Sequence, residues 1–87
     1  MAKIEIYTQM ACGYCARALR LLQSKNVPFE QIDVSLSSSL RAEMAKRAGG
    51  RYTSPQVFVD DEYIGDSDEI FALDRAGHLD KLLKLGS

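Results

Sequence analysis

Cysteine is scarce in this chain: there are two, Cys12 and Cys15, in 87 residues. A small secreted domain stapled by disulfides carries about four to eight, so a disulfide framework is excluded and a reducing, cytoplasmic setting is expected. Histidine is scarcer still, with His78 alone. A structural zinc site needs about four ligands, which two cysteines and one distant histidine do not supply; His78, beside Gly77, reads as a surface residue. No stretch approaches the roughly 18 apolar residues of a membrane span. The segment Met1-Ala2-Lys3-Ile4-Glu5 reaches charge at once, with no apolar run of signal-peptide length. Charge of one sign is also lacking: 11 basic against 12 acidic residues leave a formal charge of -1. That balance gives no global pull toward nucleic acid or an anionic membrane. Repeats, linkers and low-complexity tracts are absent apart from the serines around Ser35 to Ser39.

What is present suits one small globular domain over residues 1–87, with 46% apolar residues to fill a core. Ile4 and Ile6 alternate with Lys3 and Glu5, the pattern of a strand over Lys3–Thr8 with one buried face. Cys15, Ala18, Leu19 and Leu22 then recur at helical spacing up to about Lys25-Asn26. Pro28 breaks the helix, and Phe29, Ile32 and Val34 mark a second strand. The serines supply turn and N-cap residues for a helix in which Leu36, Leu40 and Met44 share a face, ended by Gly49-Gly50. Gln56–Val59 and Glu62–Ile64 flank Asp60-Asp61 as the arms of a tight hairpin. A third helix begins near Asp66-Ser67, carries Ile70, Leu73 and Ala76, and ends at Gly77. Leu79, Leu82, Leu83 and Leu85 form a last short helix. Helical crossovers of this length make the first two strands parallel, and helices must cover both faces of the α/β sheet.

Cys12-Gly13-Tyr14-Cys15 opens a helix directly after a strand, and this context separates it from a chance C-x-x-C string. Unpaired backbone N–H groups and the positive helix end stabilise an anion, which can lower a thiol pKa from about 8.5 to roughly 3.5–7.5. Cys12 is therefore expected as the thiolate. Cys15, one turn inward and more buried, is placed to attack a mixed disulfide at Cys12 and release the product. The competing reading is a pair of buried cysteines that never react. Tyr7, Tyr52 and Tyr63 read as strand or loop aromatics, whereas Tyr14, between the cysteines, is expected to line a substrate groove. Pro55 stands just before a strand, where the preceding backbone edge can pair with an extended ligand. Asp66, Ser67, Asp68 and Glu69 suit helix capping, and the same N–H groups can hold a ligand carboxylate.

Ile6-Tyr7-Thr8, the Cys12–Cys15 motif, Thr53 through Val59 and Ile64 through Glu69 together resemble glutaredoxins of the bacterial dithiol type, over nearly the whole chain. The resemblance implies a thioredoxin-like fold with a four-stranded mixed sheet and a cis bond before Pro55. It implies reduction of protein–glutathione mixed disulfides and protein disulfides, with glutathione as co-substrate and Cys12 and Cys15 catalytic. Tyr14, Thr53, Ser54, Pro55, Ser67 and Asp68 would form the glutathione groove, with the γ-glutamyl carboxylate on the third helix and the Ser54 backbone pairing with the tripeptide. The expected state is a monomer.

Four residues depart from the family pattern. Gly13 stands where dithiol members usually carry proline, and Gln9 where a lysine is common. Ser54 replaces a valine, a mild change if its backbone does the binding. Asp66 replaces the second glycine of a Gly-Gly pair and brings a negative charge to the carboxylate site. Arg51, in the loop before Thr53, is either the cation that offsets it or an exposed arginine without a ligand. Glycine after the first cysteine also occurs in glutaredoxins that hold a [2Fe–2S] cluster between two subunits, with Cys12 and a glutathione thiolate from each side. A glutathione-independent reductant of protein disulfides is the third alternative.

Overall fold

A computed structural model describes residues 2–84. The elements are β1 (Ile4–Thr8), α1 (Gly13–Ser24), β2 (Glu30–Asp33), α2 (Ser38–Arg47), β3 (Gln56–Val59), β4 (Glu62–Gly65), α3 (Ser67–Arg75) and the short α4 (Leu79–Leu82). They build one sheet in the order β2-β1-β3-β4. β1 and β2 are parallel, joined through α1, while β3 runs antiparallel to both β1 and β4. The sheet is mixed and helices cover both faces, as the element order requires.

Ile4, Ile6, Val57 and Val59 point to one face, where Ala18, Leu21 and Leu22 of α1, Ile70 of α3, Leu79 and Leu83 close over them. Tyr7 and Phe58 point to the other, under Val34, Met44 and Ala48. Tyr7 and Phe58 meet edge to face with ring centroids 5.6 Å apart, a favoured aromatic geometry. The cysteine-bearing α1 therefore lies on a strand held from both sides.

Local signals act as their chemistry dictates. Ser37 caps α2 by accepting from the Leu40 amide at 3.1 Å. Asp60 and Asp61 adopt φ of 50° and 69°, the left-handed pair that suits the twist of a two-residue hairpin. Gly77 at φ 77° ends α3, with the His78 amide returning to the Leu73 carbonyl at 2.9 Å.

Three expectations need correction. β1 has no solvent face: all five residues are buried, because β1 is an inner strand and α2 covers its second side. Glu5 is tolerated there because Arg47 of α2 reaches its carboxylate at 2.9 and 3.3 Å, donates to the Tyr7 hydroxyl at 2.8 Å, and lies over the Phe58 ring. Leu36 does not share the α2 face. It precedes the Ser37 cap and is 92% exposed. Ala76 is the exposed cap residue of α3, outside the core. Leu85 lies outside the described residues.

Candidate active site

Cys12 is the N-cap of α1, with extended backbone angles (φ -112°, ψ 104°). Its Sγ accepts from the Cys15 amide at 3.1 Å, so the sulfur takes up one of the helix's unpaired donors. No acidic side chain occupies the first turn of α1, leaving the positive helix end uncancelled. Cys15 is only 3% exposed, while Cys12 is half-buried. The two are joined as a disulfide, with Cα atoms 5.2 Å apart. The same pair can thus hold two electrons' worth of oxidation.

The loop before β3 comes up against this sulfur. The Ser54–Pro55 peptide bond is cis, as the resemblance implied, and the Ser54 carbonyl oxygen lies 3.7 Å from Cys12 Sγ. From there a cleft of about 320 Å³ runs to the start of α3, lined by Tyr14, Thr53, Ser54, Pro55, Asp66, Ser67 and Asp68. Every groove residue singled out in the sequence is brought together here. Tyr14 is 57% exposed, so its ring forms a wall of the cleft and adds nothing to the core. Tyr7 is fully buried and Tyr52 exposed, both away from the cleft. Gln9 lies on the far side of Cys12, in a separate groove with Met10 and Gln31.

At the α3 end, Asp66 is the N-cap and forms a reciprocal box with Glu69: Asp66 Oδ1 accepts from the Glu69 amide at 2.9 Å, and Glu69 Oε1 from the Asp66 amide at 3.1 Å. That leaves the Ser67 and Asp68 amides without a partner among the described residues. The Ser67 hydroxyl is buried in the cleft lining and also has no partner among the described residues. The Ser54 amide, across the cleft, is likewise unpaired among the described residues.

Sequence reasoning offered Arg51 as one of two readings, a cation for Asp66, but did not find the rest of the network that joins the two banks. Arg51 donates to Glu69 Oε1 at 2.7 Å and to the Tyr63 hydroxyl, and stands 3.4 Å from Asp66 Oδ2. Tyr63 donates to Gln56 Oε1, and Gln56 Nε2 donates to the Thr53 carbonyl at 2.8 Å and the Thr53 hydroxyl at 3.1 Å. The Glu69 carboxyl is held below the usual range, first by its hydrogen bond from Arg51. Burial is the first cause raising the Tyr63 hydroxyl, keeping it a neutral donor. Arg17 was also missed: its guanidinium stacks 4.8 Å from the Phe71 ring and 6.0 Å from Tyr14, tying α1 to α3 beside the cleft. Only the fold brings these partners together, so no local pattern announced them.

A sulfur at a helix N-cap, with a second sulfur one turn behind and a proline loop against it, is the centre of a thioredoxin-like thiol–disulfide oxidoreductase. Comparison with known proteins narrows that class. The glutaredoxin family model matches residues 4–64. A probable glutaredoxin of Synechocystis is 50% identical over 82 residues, spanning 94% of this chain and 93% of that protein. Glutaredoxin 3 of Escherichia coli is 49% identical over 84 residues, covering 97% and 100% respectively. The solution structure of a glutaredoxin from Brucella melitensis superposes with TM-score 0.85 at 46% identity, over 100% of this chain and 94% of that one. A further structure, from work on metal binding of glutaredoxins, is 47% identical at TM-score 0.72, over 100% and 94%. The chain belongs to the glutaredoxin family and is a glutathione-dependent thiol–disulfide oxidoreductase. No helix among the described residues is long and apolar enough to cross a membrane.

Proposed function

We propose that the chain, as a single domain over residues 1–87 acting in the cytoplasm as a monomer, reduces protein–glutathione mixed disulfides and protein disulfides. The Cys12 thiolate attacks the glutathione sulfur of a mixed disulfide. A bond forms between Cys12 Sγ and that sulfur, the disulfide bond breaks, and the protein thiolate leaves to take a proton from water. A second glutathione thiolate then attacks the glutathione sulfur of the new mixed disulfide, forming oxidised glutathione and restoring Cys12. With a protein disulfide, Cys12 forms the mixed disulfide and Cys15 attacks Cys12 Sγ, expelling the second protein thiolate and leaving the Cys12–Cys15 disulfide. Two glutathiones reduce that disulfide.

The observation that carries this reading is the cleft between the Ser54 carbonyl, against the Cys12 sulfur, and two open amides at the start of α3. A tripeptide with its cysteine sulfur at Cys12 would extend along Ser54, whose unpaired amide offers a strand-like hydrogen bond. Its γ-glutamyl carboxylate would accept from the Ser67 and Asp68 amides at the positive helix end. Tyr14, Thr53 and Pro55 would wall the peptide between them.

The test is turnover of a glutathionylated peptide with glutathione, coupled to glutathione reductase, for wild type and Cys12→Ser. Turnover that vanishes with Cys12 supports the assignment. A folded wild type that turns over only with thioredoxin reductase as the electron source would overturn it.

A second reading draws on Gly13, where a Cβ would meet nothing within 4 Å, leaving the space beside Cys12 open. One chain does not fit a cluster by itself, since no group of three metal-ligating side chains occurs among the described residues. A [2Fe–2S] cluster would need Cys12 from two copies and two glutathione thiolates. Visible absorption together with a dimeric elution volume after anaerobic purification with glutathione would support this reading; colourless monomer would reject it.

A further inference from the structure

The start of α3 carries three acidic side chains, Asp66, Asp68 and Glu69. They suit the helix, but they oppose a second anion arriving at the same amides. Asp66 lines the cleft itself. Arg51 is the cation that faces this group, 3.4 Å from Asp66 Oδ2 and 2.7 Å from Glu69 Oε1. Its position is set from the opposite bank, through Tyr63, Gln56 and the Thr53 carbonyl.

We infer that Arg51 is a positioning and specificity-determining residue for glutathione: it offsets the Asp66 charge at the mouth of the carboxylate site and holds that carboxylate turned back toward the Glu69 amide. The inference rests on the glutathione reading above and assigns Arg51 no contact with the ligand. In its absence the Asp66 carboxylate faces the incoming γ-glutamyl carboxylate uncompensated. Binding is then weakened while the sulfur chemistry at Cys12 is untouched.

The test is the KM for a glutathionylated peptide, and kcat beside it, in wild type, Arg51→Met, Asp66→Asn and the double variant. Arg51→Met should raise KM roughly three- to tenfold, the scale of one partly exposed charge pair, with kcat changed less than about twofold. In the Asp66→Asn background the same substitution should change KM by less than half as much. Salt should narrow the gap between wild type and Arg51→Met by screening, and Arg51→Lys should recover most of the loss. Equal KM changes in both backgrounds, or a fall in kcat with KM unmoved, would overturn the inference, because a purely structural strut would behave so. Asp66→Asn alone keeps a good N-cap and provides the test without touching Arg51: KM should fall, and an unchanged KM overturns the idea. A wild type without glutathione-dependent turnover would instead count against the proposed function.

Discussion

Arg47→Met should destabilise this protein by removing the partner of a buried carboxylate. Glu5 is buried on the inner strand β1, its side chain 9% exposed, and Arg47 grips both carboxylate oxygens. Removing one member of a buried pair leaves an uncompensated charge and costs roughly 3–5 kcal/mol. The Arg47 side chain is 23% exposed and Lys3 Nζ remains 3.8 Å from Glu5 Oε1, so water and a second cation soften the loss and about 2–3 kcal/mol is the better expectation. Methionine keeps an apolar stem against Phe58, and the Tyr7 hydroxyl keeps its bond to Glu43 at 2.8 Å; the contact to exposed Asp61 at 3.4 Å is lost as well, but the buried Glu5 charge dominates the cost. Urea unfolding followed by circular dichroism, in one redox state throughout, should show the midpoint falling by about 2–3 M, taking a slope near 1 kcal/mol/M for a small domain. In a Glu5→Gln background the same substitution should cost under about 1 kcal/mol, since no buried charge is stranded. Equal costs in the two backgrounds, or a cost under about 1 kcal/mol in the wild type, would refute the reasoning.

Gly65→Ala should destabilise by about 1–3 kcal/mol and raise the KM for glutathione. Its φ is +131° and a Cβ there would stand 2.5 Å from the Glu69 Cβ, displacing the cap that frames the cleft; an unchanged urea midpoint would show the reasoning wrong. Gly13→Pro should stabilise by about 0.5–1 kcal/mol, or roughly 2–8 °C in Tm. Gly13 is the first residue of α1 with open space around it, and Cys12 already has the extended backbone a following proline requires; a lower Tm would contradict this. The Glu69 carboxyl is lowered chiefly by Arg51, so its contribution to stability is present above the unfolded pKa near ~4.3 and lost as pH falls through the folded value. The urea-midpoint difference between wild type and Arg51→Met should therefore be flat from about pH 8 to 6 and shrink in acid below about pH 4. A difference that grows in acid would reverse the assigned sign.

Much of this protein could be read along the chain because the deciding interactions are local. A cysteine just ahead of a helix meets that helix's own amides, so Cys12 at the N-cap follows from Cys12-Gly13-Tyr14-Cys15 and the strand before it. Asp60-Asp61 turns and Gly77 terminates for reasons contained within a few residues. The groove residues came from likeness to glutaredoxins, and the cis bond at Pro55 came by the same route, against the base rate for X-Pro bonds.

Tertiary structure decided what depends on neighbours distant in sequence. Glu5 looked solvent-facing because alternation along β1 cannot say whether a helix will cover the second face; strand order and α2 settled that. Leu36 fits a helical spacing, yet the Ser37 hydroxyl caps a helix that begins at Ser38, two residues beyond it. The sequence left Arg51 as either a cation for Asp66 or an idle surface charge. Its hydrogen bonds to Tyr63 and Glu69 exist only because β4, the start of α3 and the 51–55 loop are brought side by side, and a charge acts through the distances that the completed fold creates.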